Sequence, residues 1–183
     1  MLRLAADPKR WITGVTSLGS AASSRRKITP FPWYAKAAEK ATAFYVSIFP
    51  DSRVGRRATM PAESPSGAPD SVKVVDFTHF GQASIAMNAG RLDPFNHAVS
   101  FVVNFDTQAE IDTCWNALLE GGSAEPCGRL KDRFGVSWQM VPKVLTDMIA
   151  DADRPMAARA AEAMLGLVKL NIATLRAACE GAP

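Results

Sequence analysis

Cys127-Gly-Arg-Leu-Lys-Asp-Arg-Phe-Gly-Val-Ser-Trp-Gln-Met-Val-Pro142 is the stretch on which the fold turns. Its centre, Asp132-Arg-Phe-Gly135, has turn chemistry, because Gly135 can adopt a positive φ without penalty. The residues after it, 136 to 141, are β-branched or aromatic at the positions a pleated surface favours. Two short strands around a tight turn are therefore expected. Side chains alternate across a strand, so Ser137, Gln139 and Val141 share one face while Val136, Trp138 and Met140 share the other. The first of these faces mixes polar and apolar groups, which suits the wall of a concavity.

The same order of elements occurs twice around this hairpin. Residues 28–34 form a short apolar segment with Pro30 and Pro32, which predicts an edge strand because proline cannot donate to a ladder. Ala38, Ala41, Phe44, Tyr45 and Ile48 recur at helical spacing over residues 35–49, and Pro50-Asp51 ends that helix. A strand over 52–60, a Pro/Ser/Gly loop over 61–71 and a hairpin over 72–87 turning at Phe80-Gly81-Gln82 complete a β-α-β-β-β unit. After a linker at 89–95 the order begins again: a strand over 97–104, a helix over 107–120 with Ile111, Cys114, Trp115 and Leu118 on one face, and a stop at Gly121-Gly122. A short strand near 123–126 and the opening hairpin close the second unit. Ser84-Ile-Ala-Met87 after Phe80-Gly81 also lines up with Ser137-Trp-Gln-Met140 after Phe134-Gly135.

The predicted class is α+β, with two βαβββ modules curled as a mixed sheet around a cavity. The domain spans 28–142, its modules 28–89 and 97–142, and a helical tail occupies 143–183. Helices are expected there at 144–150, at 154–167 with Pro155 in the first turn, and at 172–179 capped by Asn171. The stripe of Met156, Ala160, Ala163, Met164 and Leu167 should pack on the domain or on a second subunit, since the opposite face is not basic enough for a membrane surface. Residues 1–27 hold Arg3, Lys9, Arg10, Arg25, Arg26 and Lys27 with a single acid, Asp7. They are set apart as an extension, either a disordered or foreign tail or a targeting segment, with no continuous apolar core of a secretory signal.

Composition excludes several classes. A chain of 183 residues, 48% hydrophobic, can bury an ordinary core. Its net charge of +3 is concentrated in the first 27 residues, so the remainder carries no nucleic-acid footprint. No apolar run approaches the ~20 residues that span a bilayer. Cys114, Cys127 and Cys179 are odd in number and widely spaced, which indicates neither a zinc site nor a disulfide framework and suits reduced thiols in the cytoplasm.

With both units laid out, Ile28-Thr-Pro-Phe-Pro-Trp-Tyr34, Ala43-Phe-Tyr-Val-Ser-Ile-Phe-Pro-Asp-Ser52, Ala98-Val-Ser-Phe101, Trp115 with Gly121-Gly122, and the 127–142 block together resemble the PhnB-like branch of the vicinal oxygen chelate superfamily. That superfamily includes glyoxalase I, bleomycin-resistance proteins and extradiol dioxygenases. The resemblance runs from about residue 28 to residue 171. It implies paired modules around a cavity, commonly completed by a homodimer. Members of this branch are often designated 3-demethylubiquinone-9 3-methyltransferases.

In metal-dependent relatives, the resemblance implies, one ligand comes from each of four strands, the first and last of each module. Carried over one at a time, these positions fall on Pro30, on Ala86 or its neighbour Asn88, on Ala98 with His97 one residue off, and on Gln139. Only Gln139 could bind a metal, and one amide oxygen does not hold a divalent ion where catalytic sites use three protein ligands. No cofactor is expected and a divalent metal is disfavoured. Methyl transfer would need a glycine-rich turn after a strand and opening a helix, whereas Gly121-Gly122 follows a helix and Gly55 and Gly67 stand alone.

The expectation is a small-molecule-binding protein whose site is lined by Tyr34, Asn88, Ser100, Ser137 and Gln139, polar groups on mostly apolar walls. Two alternatives stand beside it: an enzyme, either a metal-assisted lyase or isomerase or the designated methyltransferase, and a dimeric domain whose hairpin serves only folding and pairing. Elsewhere, His79 is expected to be a hydrogen-bonded structural histidine, Cys127 a quiet thiol, and Asp132 and Arg133 to shape the turn and pair at the surface. Trp33, Trp115 and Trp138 are expected in the core, with one or two free to stack on a planar ligand.

Overall fold

The computed structural model describes residues 27–90 and 94–181. The extension over 1–27 lies, but for Lys27, outside the described residues. The chain divides into two compact units, one up to residue 92 and one from residue 93.

In the first unit, β1 (Trp33–Tyr34), α1 (Ala38–Ile48), β2 (Arg53–Thr59), β3 (Lys73–His79) and β4 (Gln82–Asn88) follow the expected order, and the sheet runs β1-β4-β3-β2. β1 is parallel to β4 and the other pairs are antiparallel. Proline explains why β1 is so short. Pro30 and Pro32 accept hydrogen bonds from Ile85 and Met87 of β4, at 3.0 and 3.2 Å, but have no N–H to return. Val75, Phe77 and His79 point to α1, where Phe77 stacks on Tyr45 with ring centroids 6.2 Å apart. The alternate residues Val74, Ile85 and Met87 form a separate apolar cluster with Phe31 and Met60 on the other face. Phe80 and Gly81 both have positive φ, 47° and 69°, a two-residue turn whose twist matches the flanking strands.

The second unit contains β5 (Phe101–Phe105), α2 (Gln108–Leu119), β6 (Ser123–Glu125), β7 (Arg129–Lys131) and β8 (Ser137–Pro142), in sheet order β5-β8-β7-β6 with β5 parallel to β8. Thr107 and Glu110 form a capping box that starts α2, and the helix buries Ile111, Cys114, Trp115 and Leu118, the four residues its spacing predicted. β5 starts later than the strand predicted over 97–104. Asn96 Oδ1 accepts the Ala98 N–H at 2.9 Å, and this side-chain turn holds His97 and Ala98 ahead of the strand.

Three helices complete the second unit: α3 (Lys143–Ala150), α4 (Arg154–Leu165) and α5 (Ile172–Glu180). Asp153 caps α4 with Pro155 in its first turn, and Asn171 caps α5. The predicted stripe packs mainly within the tail itself and not on the 28–142 domain: Ala160, Ala163, Met164 and Leu167 cluster with Leu145, Met148, Leu170 and Leu175, and Val141 of β8 joins at the edge. Main-chain bonds fasten this tail to the hairpin, since Cys127 and Gly128 donate to the carbonyls of Leu167 and Val168 at 2.8 and 2.7 Å. The described residues form two four-stranded mixed sheets and five helices, without a closed barrel. No described helix is long and apolar enough to cross a membrane.

Candidate functional site

The site is built on β8, an interior strand flanked by β5 and β7. Leu130 lies directly across from Trp138, and these two and Met140 are fully buried on one face, the side on which α2 packs. The face they leave carries Ser137 opposite Lys131 and Gln139 opposite Arg129, since directly paired residues share a face. Gln139 Nε2 donates to Ser100 Oγ at 2.7 Å, joining β8 to the residue just ahead of β5. Ser137 is 4% exposed, and its Oγ has no hydrogen-bond partner among the described residues. Val102, in register with Gln139 on β5, is 53% exposed. A hydroxyl without a partner, a hydroxyl–amide pair and an exposed apolar side chain thus meet on one sheet face, a combination able to orient a small polar molecule.

The structure places Tyr34 and Asn88 differently. They are neighbours in register between β1 and β4, in the first unit, and both turn to α1. The Tyr34 hydroxyl lies 3.3 Å from that of Tyr45, and Asn88 Oδ1 accepts the Ala38 N–H at 2.8 Å, supplying the helix with a cap that Ala37 cannot provide.

The strand positions considered for a metal do not supply a donor set. The Pro30 carbonyl is bonded to Ile85 N, Ala86 and Ala98 have no donor side chain, and Gln139 binds Ser100. Ala86 pairs with Val75 and so faces α1, whereas Gln139 faces away from α2. The alignment of Ser84-Ile-Ala-Met87 with Ser137-Trp-Gln-Met140 is therefore out of phase by one residue between the two units. Among the described residues, no group of three or more His, Cys, Asp or Glu is placed to hold a metal ion. The side chains at these four strand positions do not fit one.

His79 is buried. Its Nε2 lies 3.1 Å from Ser84 Oγ, its ring stacks on Phe77 at 5.2 Å, and burial lowers its pKa to about 4. Cys127 is half-buried and adopts φ 63° in the turn before β7. Trp115 and Trp138 belong to the core, and Trp33, 42% exposed, meets Phe31 edge-on at 5.8 Å.

Asp132 does not pair at the surface as expected. It is 3% exposed, and its carboxylate accepts the N–H groups of Phe134 and Val136, at 2.8 and 3.0 Å, and the Trp138 indole N–H, at 2.9 Å. Arg133 alone pairs outward, with Glu120 at 3.2 Å. One polar residue escaped the sequence reading altogether: Asp76, whose buried carboxylate interrupts Val74-Val75-Asp76-Phe77. A charge inside an apolar strand was the available signal.

Two βαβββ units with parallel first and last strands, each with its helix on one face, define a protein of the vicinal oxygen chelate class. Residues 26–141 match the family described as 3-demethylubiquinone-9 3-methyltransferase, and the chain belongs to this PhnB-like family. A solved PhnB protein from Bacillus cereus, carrying that methyltransferase designation, is 28% identical over 64% of this chain and 99% of its own, with a TM-score of 0.54. The fosfomycin resistance protein FosX from Mesorhizobium loti shares the fold at 15% identity, covering 69% of this chain and 98% of its own, with a TM-score of 0.50. No curated protein matches the chain.

Proposed function

We propose that the protein binds a small organic molecule on the β8 face bearing Ser100, Ser137 and Gln139, without a catalytic metal. The observation that carries this is the buried Ser137 hydroxyl without a partner, beside the Gln139–Ser100 hydrogen bond on the same face. A buried hydroxyl left unbonded costs free energy that a ligand group can recover. Tyr34 and Asn88 belong to the first unit, where their side chains hold α1. The protein acts as a homodimer in the cytoplasm, with its thiols reduced.

Methyl transfer, the activity in the family's designation, is not favoured by any feature of the described residues. The caps that open α1 and α2 are Ala37 and Thr107, and no glycine-rich turn precedes either. A thermal-shift screen of the full chain with quinones, aromatic antibiotics and S-adenosylmethionine tests the proposal, because a ligand that binds only the native state raises the midpoint. A shift with a quinone or antibiotic that survives chelator treatment supports it. A shift with S-adenosylmethionine alone supports the methyltransferase instead.

A further inference from the structure

Ser137 and Gln139 stand opposite two cations. β7 runs antiparallel to β8 and sets Lys131 directly across from Ser137 and Arg129 directly across from Gln139. Both basic side chains therefore belong to the face that the buried Leu130 and Trp138 leave, and both are half-buried. Arg129 donates through Nε to the Pro126 carbonyl at 3.2 Å, and no ion pair among the described residues engages its terminal nitrogens. The Lys131 ammonium has neither an ion pair nor a hydrogen bond among the described residues.

The other described lysines are placed differently. Lys73, Lys143 and Lys169 lie 2.6, 2.7 and 2.6 Å from carboxylates of Glu39, Asp106 and Asp112. Lys27, Lys36 and Lys40 make no such pair but are exposed, where water solvates the ammonium. Lys131 alone among the described lysines is both half-buried and unpaired. Withdrawing an ammonium from part of its water without an acceptor costs free energy, and the Ser137 hydroxyl across from it is a second unmet group. Glu125, across from Arg129 on the edge strand β6, is the acid nearest in register, and it forms no ion pair with either cation among the described residues. Two cations against one acid leave this face a surplus of positive charge.

We propose that the β8 face selects an anion, a carboxylate or phosphate group on a small organic molecule, held by Lys131 and Arg129. The inference rests on the reading of this face as a ligand site and adds the class of ligand. Lys131 offers a point charge with three donors, Arg129 offers a planar fork that matches two oxyanion oxygens, and Ser137 and Gln139 stand beside them as neutral donors. Val102, exposed and in register with Gln139, gives the apolar part of the molecule a surface. Because both cations remain partly open to water, an oxyanion reaches them from solvent, and its attraction weakens as salt rises.

Amide NMR titrations of the full chain with benzoate, with phenyl phosphate and with uncharged benzyl alcohol test this in wild type, K131Q and K131R. At least one anion is expected to shift the amides of β7 and β8 in wild type, less strongly as sodium chloride is raised. Benzyl alcohol should bind more weakly by about tenfold or more, K131Q should weaken the anion by a similar factor, and K131R should restore most of the loss. K131Q should melt no lower than wild type, which separates a ligand contact from a structural lysine. A response to benzoate alone marks a carboxylate site, and a response to phenyl phosphate alone marks a phosphate site. If benzyl alcohol binds as tightly as either anion, or K131Q binds the anion as wild type does, the selection of an anion is overturned while β8 remains a ligand site. If none of the three probes moves these amides, the selection is overturned as well, and the ligand site itself falls only if the quinones and antibiotics also fail to raise the midpoint.

Discussion

The indole N–H of Trp138 donates to Oδ2 of Asp132 at 2.9 Å, tying the interior of β8 to the turn that precedes it. The other carboxylate oxygen takes two backbone N–H groups of the same turn, so one buried side chain sets both the turn and the orientation of the largest core ring.

Replacing Asp132 by alanine strands those three donors. At about 1–3 kcal/mol for each buried group left unbonded, part of it recovered by water, D132A is expected to lose roughly 3–5 kcal/mol of stability. D132N keeps one acceptor oxygen and should lose less. Urea denaturation followed by tryptophan fluorescence measures both.

Gly128 has φ 74°, and a Cβ there would lie 2.8 Å from the Leu170 side chain and 2.9 Å from the Met140 carbonyl oxygen. G128A combines backbone strain with a collision at the point where the tail is fastened to the hairpin. A loss of about 2 kcal/mol or more is expected, with the tail cleaved by trypsin before the rest of the chain.

His79 makes stability depend on pH. Its native pKa of about 4 lies below the ordinary value of 6.5, so between these two pH values the unfolded chain binds a proton that the native protein does not. The stabilisation is complete above the unfolded value and is lost as pH falls toward 4, by at most about 3 kcal/mol. Asp76 opposes this, because burial raises its pKa and the native state gains as that carboxyl is protonated. H79N should flatten the acid limb of melting temperature against pH, and D76N should leave the fall due to His79 more fully exposed.

Asn88 caps α1 through its side-chain oxygen. N88A is expected to cost about 1 kcal/mol and to leave ligand binding at β8 unchanged, which thermal denaturation with and without ligand would show.

Local signals carried most of the fold. Periodicity at Ile111, Cys114, Trp115 and Leu118, the cap at Asn171 and the turn at Phe80-Gly81 each depend on residues a few positions apart, and each stands where the sequence put it. What could not be read was set by partners distant in sequence or by phase. Asn88 serves a helix that begins fifty positions earlier, a bond to which no sequence pattern points. Asp132 looked like a surface turn residue because nothing local shows the Trp138 indole coming down on it. Four similar residues in two strands could not fix which face they share, and a slip of one moves Ala86 to the side opposite that of Gln139. The β8 face itself was legible, because strict alternation separates Ser137 and Gln139 from Trp138 and Met140.

Isothermal titration of the most stabilising quinone or aromatic antibiotic, into chelator-treated wild type and Q139A, tests ligand binding at β8 most directly. Binding to metal-free wild type with at least a tenfold loss in Q139A, about 1.4 kcal/mol, is the expected result, with the melting temperature of unliganded Q139A little changed. Binding that requires added nickel, zinc or manganese, or that Q139A retains in full, would contradict it.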